Sequence, residues 1–357
     1  MYSLIEPELG QARADGLTAI GPYYGKSNLR KTIERAQIAK LPVLYTIGPR
    51  LDFEINQKQE YTRALTLLAS EVAEASQHTE IGAWVLANEE LRYWRKTEMD
   101  WLRNATQTIR ANDPHNRPIL MYEPNNRSAH ALVKTSQYLD FIAKGTYANY
   151  VGMKHTRTWI RHSIEQAVSA ANSTNTIPLA ILWMARDQDN DEDIADIQKW
   201  ARHDVYLSLI TGAKGIIIFS GWSKRPGFEK HYHDFYEGYT SAAKELSGEL
   251  QLGRVFLYGK KQSGINISVI EGPETQQFKY RDQTYEYTTI SFKYLLLDDK
   301  HYLFIINSAN EEVSISIDGL PASLQLYNVF TEEQIHSTIA KLDKLNILAI
   351  SWEAKLR

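Results

Sequence analysis

The chain contains no cysteine. Disulfides, thiolate-ligated zinc and cysteine nucleophiles are therefore excluded, while the redox compartment stays open. No stretch reaches the roughly 18 consecutive apolar residues of a membrane-spanning helix. A basic excess is missing as well: 40 Lys and Arg against 43 Asp and Glu give a formal net charge of −3, which argues against a nucleic-acid-binding surface. Residues 1–10 have neither a basic patch nor an apolar core, so they do not read as a signal peptide. There are no repeats and no low-complexity tract.

What the chain does have is enough apolar content for a sizeable core, at 43% of 357 residues, and many large aromatics, with eight Trp and 21 Tyr. Apolar runs recur at 17–21, 42–47, 81–87, 118–122, 139–144, 178–184 and 214–220. Between them lie segments with helical spacing. Leu29, Ile33 and Ala36 share one face, as do Tyr61, Leu65, Leu68 and Val72, then Met99, Leu102, Thr106 and Ile109. Ile160, Ile164 and Ala167 repeat the pattern, followed by Ile194, Ile197, Ala201 and Val205.

Strand runs separated by one helix each predict βα units and a parallel sheet. A closed α/β architecture, the (β/α)8 barrel, needs eight strands. Seven runs are clear, and residues 2–5 are the candidate first strand, with a short connection to Leu17. An open doubly wound sheet is the alternative; no run is followed by the Gly-rich phosphate loop that such sheets carry. After a helix at about 234–247 the pattern changes to strand signals only, at 255–258, 265–270, 287–297, 302–307, 313–317, 324–329 and 345–352, with a polar loop at 271–283. Turn residues Asp298-Asp299 separate two of them. The expected organisation is a barrel over 1–250 and an all-β sandwich over 251–357.

Barrel chemistry sits at the C-terminal ends of the strands. The residues there are Pro22-Tyr23-Tyr24, Gly48-Pro49-Arg50, Asn88-Glu89-Glu90, Glu123-Pro124-Asn125, Gly145-Thr146-Tyr147, Arg186-Asp187 and Gly221-Trp222. Aromatic faces stack on sugar rings, while carboxylates, Arg and Asn hold hydroxyls.

The segment Trp84-Val85-Leu86-Ala87-Asn88-Glu89-Glu90 resembles the strand-four motif of glycoside hydrolases of the large (β/α)8 clan, clan A. Residues 201–220 are similar to the helix-seven-to-strand-eight region of such barrels, and 302–317 to the sandwich that often follows them. The resemblance implies that Glu89 is the general acid/base and that Asn88 binds a sugar hydroxyl. It also implies a carbohydrate substrate, no cofactor and no metal, and a periplasmic or secreted setting. The leaving oxygen of a glycoside must be protonated as its bond breaks, and a second carboxylate must attack the sugar or activate water. Retaining enzymes hold the pair about 5–5.5 Å apart and inverting ones about 6.5–9.5 Å.

The chain departs from the clan at that second carboxylate. Strand seven reads Ile181-Leu182-Trp183-Met184-Ala185-Arg186-Asp187, without the expected Glu. Asp187 and Glu123 are the candidate partners, with Tyr23, Tyr147, Trp183, Arg186 and Trp222 as substrate contacts. A non-catalytic carbohydrate-binding barrel is the competing reading. A third is a barrel that holds a phosphate in the loop at 220–227 through Lys224 and Arg225. The segment His231-Tyr232-His233-Asp234 offers two metal ligands without an evident third. No Ser/His/Asp arrangement is recognisable in the linear order.

Overall fold

The computed structural model describes residues 1–23, 28–48, 58–87, 91–148, 150–184, 191–224, 229–321 and 324–354. The chain divides into two compact units. The first comprises Met1–Thr146, Ser163–Met184 and Gly215–Glu229. The second comprises Tyr147–His162, Ala185–Lys214 and Lys230–Arg357.

Six parallel strands run through the first unit in sequential order: β1 (Val43–Ile47), β2 (Ile81–Leu86), β3 (Ile119–Glu123), β4 (Phe141–Gly145), β5 (Ile177–Trp183) and β6 (Ile216–Phe219). Their mainly aliphatic runs are what a parallel sheet covered on both faces requires. Two short pieces of chain close the ring. Ile20 bridges Val43 in parallel, with Leu44 N donating to Ile20 O at 2.9 Å. On the other edge, Tyr2 N donates to Ile218 O at 2.9 Å and Gly221 N to Tyr2 O at 2.8 Å. Ser3 N donates to Pro22 O and Gly21 N to Met1 O, both at 2.9 Å, which joins the two pieces. The N-terminal residues thus hold the first ring position, and β2, β5 and β6 hold the fourth, seventh and eighth. This is the α/β barrel expected from the alternation. Gly21 makes the tight closure feasible: its φ is +85°, and a Cβ there would lie 2.6 Å from Leu44 O.

The helices are α1 (Glu8–Gln11), α2 (Leu29–Ala39), α3 (Lys58–Ala75), α4 (Lys96–Asn112), α5 (Ala129–Ser136) and α6 (Thr158–Thr174), then α7 (Asp191–Thr211), α8 (Tyr232–Ser247) and α9 (Leu252–Tyr258). Asn28 caps α2 by accepting from Lys31 N at 3.0 Å. Leu132 of α5, Ile142 of β4 and Ala167, Ala170 and Ala171 of α6 form one buried cluster. Burial of each larger aliphatic side chain contributes roughly 1.5–3 kcal/mol.

In the second unit α7 and α8 cross closely at Gly238, where a Cβ would meet Ala201 Cβ at 2.8 Å. The β strands are β7 (Lys260–Lys261), β8 (Asn266–Glu271), β9 (Thr275–Tyr280), β10 (Gln283–Thr288), β11 (Ile290–Leu297), β12 (Lys300–Asn307), β13 (Val313–Asp318), β14 (Leu326–Asn328), β15 (Gln334–Ile335), β16 (Ile339–Leu342) and β17 (Ile347–Glu353). They form a sheet of order β15-β14-β17-β12-β11-β7, a second of order β16-β13-β8 and a separate β9–β10 hairpin. Leu303, Ile305, Val313, Ile315, Ile317, Ile350 and Trp352 fill one core between the two larger sheets, which makes a sandwich. On the opposite face of β12, Phe304 packs on Phe256 of α9 and Tyr206 of α7. Asp298 and Asp299 have φ of 49° and 61° and turn β11 directly into β12.

Two expectations are corrected here. Residues 255–258 are helical, not a strand: Leu252, Val255 and Phe256 share a buried helical face, and so short an apolar run fits either period. The polar stretch 271–283 holds strand β9 instead of being only a loop. Its Phe278 faces inward between exposed Gln277 and Lys279, and Phe278 stacks against Tyr285 and Tyr287 of β10.

Candidate functional site

The C-terminal end of β3 carries the best-defined polar cluster of the first unit. Glu123 is the last residue of β3 and lies beside Lys144 of β4 in the sheet register. It is buried, and both carboxylate oxygens have partners. Arg127 Nη1 donates to Oε2 at 2.5 Å, and Thr135 Oγ1 donates to Oε1 at 2.6 Å. Burial pushes the carboxyl above its ordinary range, against the pull of Arg127, Thr135 and Lys144.

Lys144 is fully buried and brought down to about 7 by burial, with Glu123 opposing that shift and Arg127 adding to it. Its Nζ donates to Pro124 O at 2.9 Å, Asn125 O at 2.6 Å and Gly145 O at 3.4 Å. The lysine thereby ties the loop after β3 to the end of β4.

The same cluster reaches the loop after β2. Arg127 Nη2 donates to Leu91 O, and the Tyr93 ring lies 5.8 Å from the Arg127 guanidinium and 5.3 Å from the Lys134 ammonium. Arg92 donates to Glu98 from its backbone N at 2.6 Å and from Nε at 2.5 Å. Arg92 is therefore committed to a buried carboxylate of α4. Sequence reasoning did not single out Arg127, Thr135, Lys144, Tyr93 or Trp94 for this rim.

The other expected residues are distributed as follows. Asn88, Glu89, Glu90, Arg186 and Asp187 lie outside the described residues, as do Tyr24, Arg50 and Arg225. Tyr23, at the second ring position, donates from its hydroxyl to Leu4 O at 2.8 Å, with the Arg35 guanidinium 4.2 Å from its ring centre. Burial pushes its phenol up to about 12, with Arg35 opposing. Trp183 ends β5 and is half-buried. Trp222 belongs to the 3-10 turn Gly221–Lys224 that follows β6. Tyr147 belongs to the second unit. Lys224 Nζ is engaged by both oxygens of Glu8, at 3.0 and 2.7 Å, and by Glu6 O at 3.0 Å, so this lysine is already paired within the protein. Ser220, also at the end of β6, is fully buried, and its Oγ has no hydrogen-bond partner among the described residues.

Solved structures with this architecture are numerous. A GH42 β-galactosidase from G. stearothermophilus superposes with a TM-score of 0.64 at 8% identity, covering 97% of this chain and 95% of that one. An α-amylase from Geobacillus thermoleovorans, complexed with acarbose, gives 0.57 at 10% identity over 98% of this chain and 91% of that one. A maltogenic α-amylase from Thermotoga neapolitana gives 0.56 at 12% identity over 97% and 93%. The chain has a glycoside-hydrolase-like fold. No family model and no curated sequence relative matches it.

The second unit contains a hydrogen-bonded row that linear order did not reveal. His203 Nε2 lies 2.9 Å from Ser308 Oγ, and His203 Nδ1 lies 3.0 Å from Asp204 Oδ1. The three residue types are those of a hydrolytic triad, but Ser308 and His203 have no exposed surface. A nucleophile needs access to its substrate, so the row joins α7 to the end of β12 as a structural contact. Burial holds the His203 imidazole below its ordinary value, with Asp204 opposing. Among the described residues, no group of three or more His, Asp or Glu is arranged to hold a metal ion. None of the described helices is long and apolar enough to cross a membrane.

Proposed function

We propose that the protein is a glycoside hydrolase acting on an oligo- or polysaccharide, with Glu89 as the proton donor. The observation that carries this reading is the place of β2 in the ring. It holds the fourth position, its C-terminal end is fixed by Ala87 N donating to Ile47 O at 3.1 Å, and Asn88-Glu89 follows directly. The fold likeness to carbohydrate-active barrels supports it, including one complexed with acarbose and a β-galactosidase.

In this mechanism Glu89 protonates the glycosidic oxygen and Asn88 holds a hydroxyl beside the reacting carbon. For the second carboxylate, Asp187 is the stronger candidate, because both oxygens of Glu123 are already bound by Arg127 and Thr135. Tyr23, Trp183, Arg186 and Trp222 from the strand ends, with Tyr147, line the sugar subsites in this proposal. Residues 1–250 carry the chemistry and 251–357 form the accessory sandwich.

The competing reading, a carbohydrate-binding barrel without catalysis, draws on the absence of a Glu from β5 and the residues directly after it. Reducing-end release from a broad oligosaccharide panel separates the two. Release by the wild type that collapses in Glu89→Gln, at unchanged melting temperature, is the expected result. Release that survives the substitution overturns the assignment of Glu89. Glycan binding without release by either protein moves the function to the binding barrel.

A further inference from the structure

Trp94 is the most exposed large apolar side chain described in the first unit, at 66%. A single exposed apolar side chain is ordinary by itself; what sets Trp94 apart is the ordered aromatic and cationic surface around it. Its loop joins β2 to α4 and therefore lies at the end of the barrel where function resides. It follows Asn88-Glu89-Glu90 by a few residues.

Residues 91–95 of this loop are held by several contacts. Leu91 is fully buried, and its carbonyl accepts from Arg127. Arg95 N donates to Arg92 O at 2.8 Å, closing a tight turn around Tyr93 and Trp94. Buried Glu98 anchors Arg92 and lies 3.7 Å from Arg95 Nη1. The Tyr93 ring, edge-on to Trp94 at 5.0 Å between centroids, is flanked by Arg127 and Lys134. The backbone beneath Trp94 is thus held in place, and the indole stands out from it into solvent. The Arg92 and Arg95 side chains beside it remain 41% and 52% exposed.

We propose that Trp94 is the stacking platform for one pyranose unit of an oligosaccharide chain, away from the bond that is cut. The ring's C–H face would rest on the indole, and its hydroxyls would accept from those N–H groups of Arg92 and Arg95 that do not face Glu98. Because the backbone at 91–95 is already held, little chain entropy is lost on binding. The Glu123–Arg127 pair then acts as a positioning element for this loop, which explains why a carboxylate at the rim is wholly occupied by protein donors. This inference rests on the carbohydrate reading above.

Calorimetric titration tests it, using wild type, Trp94→Ala and Trp94→Phe with maltooligosaccharides and β-galactooligosaccharides from disaccharide to hexasaccharide. Melting temperatures are measured in parallel. Trp94→Ala is expected to lose about tenfold in affinity for the longest chains, the size of one aromatic contact, and little for the disaccharides. Trp94→Phe, which keeps a flat ring, is expected to retain most of the affinity. Equal binding by wild type and Trp94→Ala at every length overturns the platform and leaves the carbohydrate reading intact. If the wild type neither binds nor cleaves any member of the panel, the carbohydrate reading fails, and the platform with it.

Discussion

Strand β3 has a buried carboxylate–arginine pair at each end, and both pairs have the same four-residue spacing. Asp113 and Arg117 precede the strand; Glu123 ends it and Arg127 follows. Asp113 accepts from Trp84 Nε1 at 2.8 Å, from Arg117 N at 2.8 Å and from Arg117 Nη1 at 2.7 Å. Arg117 spends its remaining donors on the carbonyls of Ser76, His78 and Ile81. Burial alone would raise the Asp113 carboxyl, but Trp84, the backbone N–H groups and Arg117 outweigh it and hold the group below its ordinary range. At Glu123 the balance tips the other way, and burial wins. The lower pair is a staple whose charge the fold favours. At the upper pair burial works against the carboxylate's charge, and its arginine also holds the loop after β2 through Leu91 O.

The largest expected effect is on stability at the lower end. Asp113→Asn leaves Arg117 buried without its counter-charge, so chemical denaturation should show a loss of about 3–5 kcal/mol. Glu123→Gln should cost less, about 1–3 kcal/mol, since the fold already opposes the carboxylate and the amide can keep the Thr135 bond. Equal losses would mean that the two ends are not different in kind.

The pH dependence should differ in sign. A depressed Asp113 value gives stability that is present above about pH 4 and lost as pH falls through the folded value. A raised Glu123 value works in reverse: relative to Glu123→Gln, the wild type should lose stability as pH rises above about 4. Denaturation curves of wild type and both variants across that range read these slopes directly, and slopes of the same sign would contradict the contrast. The smallest effect is expected at Trp94. Because its indole touches little, Trp94→Ala should shift stability by no more than about 0.5 kcal/mol while weakening glycan binding.

Much of the barrel was legible in the sequence because its strands, buried on both faces, read as unbroken apolar runs. The closing pieces at Tyr2 and Ile20 were only partly legible, since they are too short for periodicity to register. Glu123 was readable as a strand-end carboxylate, but its engagement was not. Lys144 comes from the neighbouring strand and Thr135 from α5, and hydrophobic patterning carries no information about polar pairing. The His203–Ser308 contact was hidden for the same reason, at a sequence separation of 105. Trp94 was missed because an aromatic residue is by default expected inside, and exposure of a single side chain leaves no trace in composition. Strand β9 escaped because its outward residues are polar and only Phe278 marks the buried face.

The packing of α7 against β12 has a consequence for biosynthesis. His203 emerges from the ribosome well before Ser308, and at roughly 5–20 residues per second the delay is about 5–20 s. For the first half of that interval Tyr206 has neither Phe256 nor Phe304 to pack against, and Phe304 arrives only at its end. That part of the α7 face is completed only by strand β12, so the helix cannot reach its final packing until the sandwich is being made.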